Sequence, residues 1–464
     1  MMLLLPESAM LLLSVVFLFL SLGGGKGATF FWARAMALAG FILSLLGVSG
    51  EGTLFFGAYR VDLFSQIFKL LLSAGYCFVV FMFGSDEEVE GAYLPDFFMF
   101  LSFSTLGLMM MASSVELISI AISLEISSFS LYAIVPLRKS QTKLQLEASV
   151  KYLFFGAIST GVMLFGMGYL YGMAGSTFLT DIVRALPEFI LQPMGILAMT
   201  LTMIGFFFKL SLFPMHFWAP DIYEGASNTT TTFIATVPKI AAVALLIRIA
   251  MLTPSLPPQL AGILILLAAL SMTAGNLAGL VQKDVKRLLA YSGIAHAGYL
   301  MLGIISLGSG GGGAAIFYIT VYLFMNLAGF YVITLLSKDG GNVMVDDLAG
   351  LSKRSPLLAL TLAVSAFSLA GIPPTGGFTG KFFLFVSAFN EGHLAIVIIG
   401  AVNTVISIFY YLNLVRMSYS KEPGDLPPVL LSFHEKVICY ALIVMILYMG
   451  IVPFGLLETF NGAF

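Results

Sequence analysis

The sequence predicts an all-α polytopic membrane protein of about fourteen transmembrane helices, with two inverted five-helix repeats and discontinuous helices 7 and 12. Three observations carry that expectation. Of 464 residues, 59% are hydrophobic and only 10% charged, at a mean hydropathy of +1.00, whereas a soluble chain carries roughly 25% charged residues. The apolar residues fall into runs long enough to cross a hydrocarbon core about 30 Å thick, which takes about 20 residues of helix. Two of those runs are interrupted by proline and glycine beside a lysine.

In chain order the candidate spans are 8–22, 29–48, 62–83, 96–113, 115–137, 148–172, 193–217, 229–252, 259–280, 288–307, 313–337, 356–390 (interrupted), 393–417 and 434–456. The first is preceded by Glu7 and by no Lys or Arg, so it reads as a retained helix; a secretory leader opens on a basic segment. Short loops leave no room for a soluble domain. Sustained alternation of polarity is missing, which excludes a barrel with spans of about 10 residues. The expected organisation is three N-terminal helices over 1–95, a first repeat of helices 4–8 over 96–252, a second of helices 9–13 over 253–417, and a C-terminal loop with helix 14 over 418–464.

Loops on one side hold most Lys and Arg, including Lys26, Arg138, Lys139, Lys283, Arg287, Lys338 and Lys353; the other side has little beyond Arg60 and Arg184. The positive-inside rule then puts both termini away from the cytoplasm. Asp86, Glu87, Glu88 and Glu90 fall on the basic side, but acidic residues weigh little in that rule.

Several function classes drop out. A net charge of −2 offers no basic face to nucleic acid. Cys77 and Cys439 lie in apolar runs without metal-ligand spacing and read as packing. Phosphate-binding, dinucleotide, zinc-protease and haem motifs are missing. The glycine run at 310–313 reads as a flexible turn.

The seventh span breaks at Pro214, with Pro220 beyond it, and the twelfth at Gly371, Pro373, Pro374, Gly376, Gly377 and Gly380. Proline removes an amide donor and clashes with the preceding turn. Unpaired backbone at membrane depth survives only inside protein or beside a wet cavity, so the breaks point to an internal pathway. The plainer alternative is a pair of packing kinks. Lys209 and Lys381 are 172 residues and five spans apart, an odd offset that makes the two broken helices antiparallel, as in an inverted repeat.

A charge at mid-membrane costs about 2.5–3.5 kcal/mol on insertion scales and usually marks an ion route. Glu125 lies mid-way along the fifth span beside Ser127, Ser128 and Ser130; it is either half of a charge pair or a neutral acid bonded to serine. Lys209 stands just before the first break, and a lysine desolvated there but near a carboxylate suits proton loading and release. The two are expected to behave as one coupled pair. Lys239, about one third into the eighth span, and Lys381, opening the second half of the twelfth, are the next stations, with His296 on the tenth. Histidine titrates most easily near neutral pH. Lys151 with Glu147 opens the sixth span as an entry point or as anchors; Asp62 and Lys69 read as anchors, and Asp221 and Glu224 as the rim of an entrance.

The segments FFKLSLFPMHF and WAPDIYEGA (207–226), LEASVKYLFFGAIS (146–159), GNLAGLVQKDVKRLLAYSGIAHAGYL (275–300) and DDLAGLSKRSP with LAGIPPTGGFTGKFFLF (346–385) are long and specific. Through them the chain resembles the proton-translocating, antiporter-like membrane subunits of respiratory complex I, subunit N above all. Ser227 and Asn228 depart from the proline that family often has there, which leaves the start of the eighth helix open, and Gly293 stands where a second Ser is common. The resemblance implies a polar proton axis of Glu125, Lys209, Lys239, His296 and Lys381, with Lys151 as a further candidate. It implies no cofactor or metal on this chain. FMN, iron–sulfur clusters and quinone belong to partner subunits, and the partners are other complex I membrane subunits, antiporter-like neighbours among them, together with lipid and protons. The alternative is a subunit of a multisubunit Na+/H+ antiporter or of a ferredoxin- or hydrogenase-linked relative.

Overall fold

The computed structural model describes residues 2–464 except 24–28, 84–87, 140–142, 191, 253–257, 338–339 and 423–425. Among the loop charges that assign the two sides, Lys26, Asp86, Glu87 and Lys338 lie outside the described residues. Thirteen helices among the described residues are long and apolar enough to cross a membrane, and the interrupted twelfth span supplies a fourteenth as two shorter pieces. The chain divides into two compact units, Met1–Leu210 with Gly225–Ala261, and Ser211–Glu224 with Gly262–Gly462.

In the first unit α1 (Leu5–Gly23) and α2 (Thr29–Leu46) lead into a two-stranded antiparallel ribbon, β1 (Gly52–Leu54) and β2 (Tyr59–Val61), too short to give an alternation signal. Then follow α3 (Leu63–Met82), α4 (Leu94–Ser113), α5 (Leu117–Ile134) and the long α6 (Lys143–Ala174). Asp62 starts α3 with a capping box, accepting from Ser65 N at 2.9 Å while Ser65 Oγ accepts from Asp62 N at 3.0 Å. After α6 lies α7 (Leu179–Phe189), outside every expected span, whose Leu179, Ile182, Leu186 and Phe189 make one buried stripe at helical spacing. Next come α8 (Pro193–Leu210) and, after α9 (Trp218–Gly225) of the other unit's segment, α10 (Asn228–Leu252).

The residues that left the start of this helix open turn out to build it. Ser227 Oγ accepts from Thr230 N at 3.2 Å, and Glu88 Oε2 accepts from Thr229 N at 2.9 Å. A carboxylate at a helix N-terminus meets free amides and the positive end of the dipole. Glu88, on the basic side by chain order, is therefore a buried cap rather than a solvent-facing charge.

The second unit holds α11 (Pro258–Gly279) from Gly262 on, α12 (Val285–Ile305), α13 (Gly311–Leu336), α14 (Leu351–Arg354), α15 (Pro356–Ala370), α16 (Gly376–Asn390), α17 (Leu394–Ser420), α18 (Phe433–Ile451) and α19 (Phe454–Asn461). α12 and α13 are buried almost throughout, while α17 and α18 bury about a third of their apolar window and leave the rest outward, as a lipid-facing helix does. The glycine run is not a flexible turn. Gly311, Gly312 and Gly313 form the first turn of α13, and a Cβ on Gly312 or Gly313 would lie 2.2 Å from the Phe464 ring or 1.9 Å from Asn461 Oδ1. Glycine there allows close approach of the C-terminal segment.

Candidate proton-transfer site

Both helix breaks share one backbone pattern. After α8, Ser211 takes φ 59° and the Phe213–Pro214 bond is cis; after α15, Gly371 takes φ 83° and Pro373–Pro374 is cis. The left-handed residue and the cis-proline thus have the same spacing in both. In that register residue 369 matches Lys209, so the two lysines sit on opposite halves of their breaks: Lys209 ends the first half, and Lys381 lies in the second.

In the first unit Glu125 is the midpoint of α5. Its partner is Thr160 on α6, whose Oγ1 donates to Glu125 Oε1 at 2.6 Å. The neighbouring serines serve other acceptors: Ser128 and Ser130 bond carbonyls of their own helix, and Ser127 bonds Ser104 on α4. Glu125 also borders a cleft of about 1130 Å³ lined by α4, α5 and α6, where every other lining residue is uncharged. Lys209 is 3% exposed, and its Nζ has no hydrogen-bond partner among the described residues. The two do not touch as an ion pair, but Glu125 is the carboxylate whose field acts on Lys209. A buried ammonium without a protein partner depends on such a field or on water to stay charged.

Lys239 is 1% exposed and lies at the twelfth of 25 residues of α10, half-way along and deeper than the one third expected from sequence. Lys151 differs from these. It pairs with Glu147 one turn away at 2.5 Å, and its side chain is 35% exposed.

In the second unit His296 on α12 is held between two tyrosines, with Nδ1 2.6 Å from Tyr318 Oη and Nε2 3.2 Å from Tyr411 Oη. Tyr411 in turn bonds Ser292. Lys381 donates from Nζ to the carbonyls of Leu369 at 2.9 Å and Ala370 at 3.2 Å, the last of α15 before the break. Helix C-terminal carbonyls carry partial negative charge and suit a cation. Its ammonium also lies 4.8 Å from the centre of the Tyr299 ring, and that ring is 6.0 Å from His296. The break therefore supplies what Lys381 binds, and Tyr299 brings lysine and histidine into one polar group.

Some charges depart from their sequence reading. Asp62 and Lys69 are not surface anchors. Lys69 is fully buried and pairs with Glu7 at 2.6 Å, and Arg248 grips Asp62 with two nitrogens at 2.5 and 2.9 Å. Arg248 itself is 3% exposed, and its partner stands 186 positions away, a separation no local pattern reveals. Asp221 and Glu224 are both engaged by Arg287, at 2.8 and 2.7 Å. The tyrosines around His296 were also missed, since a buried tyrosine in an apolar run looks like packing.

The family model for the transmembrane region of NADH:quinone oxidoreductase and Mrp antiporter subunits matches residues 114–407. The chain is 44% identical to NADH-quinone oxidoreductase subunit N 2 of Opitutus terrae, over 89% of this chain and 87% of that one. It is likewise 44% identical to the protein of that name in Solidesulfovibrio magneticus, over 97% and 96%. Among solved structures, a chain of respiratory complex I from Thermus thermophilus with bound aureothin superposes at a TM-score of 0.84 with 32% identity, covering 98% of each. A chain of the Mrp complex from Dietzia superposes at 0.86 with 19% identity and shares the fold alone. The chain belongs to the NADH:quinone oxidoreductase/Mrp antiporter membrane-subunit family, on the branch of NADH-quinone oxidoreductase subunit N.

Proposed function

We propose that this chain is the proton-translocating subunit N of a bacterial NADH:quinone oxidoreductase, moving protons while partner subunits carry electrons from NADH to quinone. The observation that carries this reading is three lysines, Lys209, Lys239 and Lys381, each at most 3% exposed inside apolar helices, on a chain whose relatives bear that enzyme's name. Charges this costly to insert mark ion routes. FMN, iron–sulfur clusters and quinone belong to the partner subunits, and this chain performs no redox step. Both termini face away from the cytoplasm, and helices 4–8 and 9–13 form the two inverted repeats.

A proton loads at Lys209 from the cytoplasmic side, under the influence of Glu125. It passes by water and side-chain relay through Lys239 and His296 to Lys381 and leaves on the far side. Lys151 with Glu147 lies near the entry. In the assembled enzyme Lys209→Ala is expected to abolish this chain's share of proton translocation. Lys209→Arg does the same while keeping the charge, because a guanidinium does not release its proton. The measurement is proton translocation alongside NADH:quinone turnover in membrane vesicles; wild-type translocation by both variants would sink the reading.

A further inference from the structure

The Glu7–Lys69 pair lies in none of the segments that mark the chain's family motifs, yet it is among the most deeply buried charge pairs in the first unit. Lys69 is fully buried seven residues into α3, and Glu7, in the first turn of α1, is 6% exposed. Their side chains meet at 2.6 Å, and Tyr59 on β2 donates its hydroxyl to the same carboxylate oxygen, Oε1, at 2.5 Å. The Lys69 ammonium lies 5.3 Å from the centre of the Tyr59 ring. The other charges around the pair are Asp62, Arg248 and Arg60, with Asp62 taken by both arginines.

Two features set this pair apart from a simple tie between helices. Glu7 Oε2 is buried with no partner among the described residues, and so are both polar atoms of Gln66, which precedes Lys69 by one turn on α3 and is 1% exposed. Buried polar atoms are almost always paired with protein or water, so the Glu7 oxygen and, one turn along α3 from Lys69, the Gln66 amide are groups that call for water as their partner. A pair that only held helices together would be poorly served by this arrangement, since apolar replacements for a buried ion pair are often neutral or stabilising.

We propose that Glu7 and Lys69 form a second proton-binding station, outside the Glu125–Lys209–Lys239 set, at the end of the first unit that carries the β1–β2 ribbon. Lys69 gives one proton to Glu7, leaving a neutral amine beside a carboxylic acid. Water at the membrane face takes the carboxyl proton, and water reached through Gln66 restores the lysine. Tyr59 keeps its own proton throughout: burial, then the charge of Glu7, pushes its hydroxyl well above the ordinary range. The proposal rests on the proton-translocating reading given above.

The test uses the whole enzyme in membrane vesicles, with protons translocated per NADH oxidised as the readout. Lys69→Arg keeps the ion pair and forbids release. The double variant Glu7→Leu/Lys69→Leu removes both charges without leaving one stranded. The expected result is an assembled enzyme that translocates fewer protons per NADH in both. Wild-type translocation by either assembled variant overturns the proposal. Failure of the double variant to assemble overturns it too, because it makes the pair a structural tie. Lys209→Ala, measured alongside, separates the two ideas. If it stops translocation while the Glu7 and Lys69 variants do not, only this proposal fails; if it pumps like wild type, the functional reading itself fails.

Discussion

At the scale of single residues, position along a helix is legible in sequence, while the partner is not. Glu125, Lys209, Lys239, His296 and Lys381 were all recognisable because an ionisable group deep in an apolar run is expensive. Thr160, Tyr318 and the Leu369 carbonyl, which actually meet these side chains, come from other elements. Asp62 shows the same limit. As a cap at the edge of a span it looks like an anchor, and only the folded chain brings Arg248 to it. Burial by itself pushes the Asp62 carboxyl up, but the hydrogen bonds and charge of Arg248 outweigh it and hold the group below the usual carboxylate range. A carboxylate held low in the folded state adds stability in full above its unfolded pKa, about 3.9, and that stability is lost as pH falls through the folded value. Asp62→Ala strands Arg248 and is expected to cost about 3 kcal/mol at neutral pH. The check is thermal unfolding of the purified complex in detergent, where the gap from wild type closes on strong acidification; a variant as stable as wild type at neutral pH refutes the role.

Elements were the most legible scale. Every candidate span holds helix, most of them within a few residues of the expected ends, because about 20 consecutive apolar residues leave the backbone no other way to satisfy its hydrogen bonds in lipid; the seventh departs most, its helix ending at Leu210 rather than 217. The misses are the short ones. The ribbon at Gly52–Val61 has three residues per strand, and α7 is an amphipathic helix of 11 residues, below the length of a span. Prolines located the two breaks, but their internal geometry belongs to the fold. Gly377 faces Ser368 across the second break so closely that an added Cβ would lie 1.7 Å from the Ser368 carbonyl oxygen. Gly377→Ala must therefore push α15 and α16 apart and disturb the carbonyls that hold Lys381. The expected outcome is a strong loss of proton translocation with NADH oxidation less affected; normal translocation by an assembled Gly377→Ala enzyme would show that the break tolerates movement.

For the whole molecule, the proposed relay makes Lys209 and Lys381 stations of one route. Each unit carries buried lysine of its own, and on that proposal a block at either lysine is complete. The double variant Lys209→Ala/Lys381→Ala is then expected to translocate no worse than the more severe single variant. Losses that add would mean each unit moves protons independently. Proton counts per NADH for the three enzymes in vesicles decide between them, and non-additivity is the usual signature of groups acting as one unit.

By itself the sequence determined that this chain lives in a membrane, how many helices cross it, where two of them break and that Glu125, Lys209, Lys239, His296 and Lys381 lie deep in their spans; the burial of Glu7, Lys69 and Arg248 was not among them. These follow from the cost of polar groups in hydrocarbon, which is paid residue by residue along the chain. Only the tertiary structure decided which groups meet: Thr160 with Glu125, two tyrosines with His296, the broken end of α15 with Lys381, Glu7 with Lys69 and Arg248 with Asp62. The physical reason is that such partners are chosen by packing between distant helices, and an apolar run carries no record of which neighbour its polar residue will face.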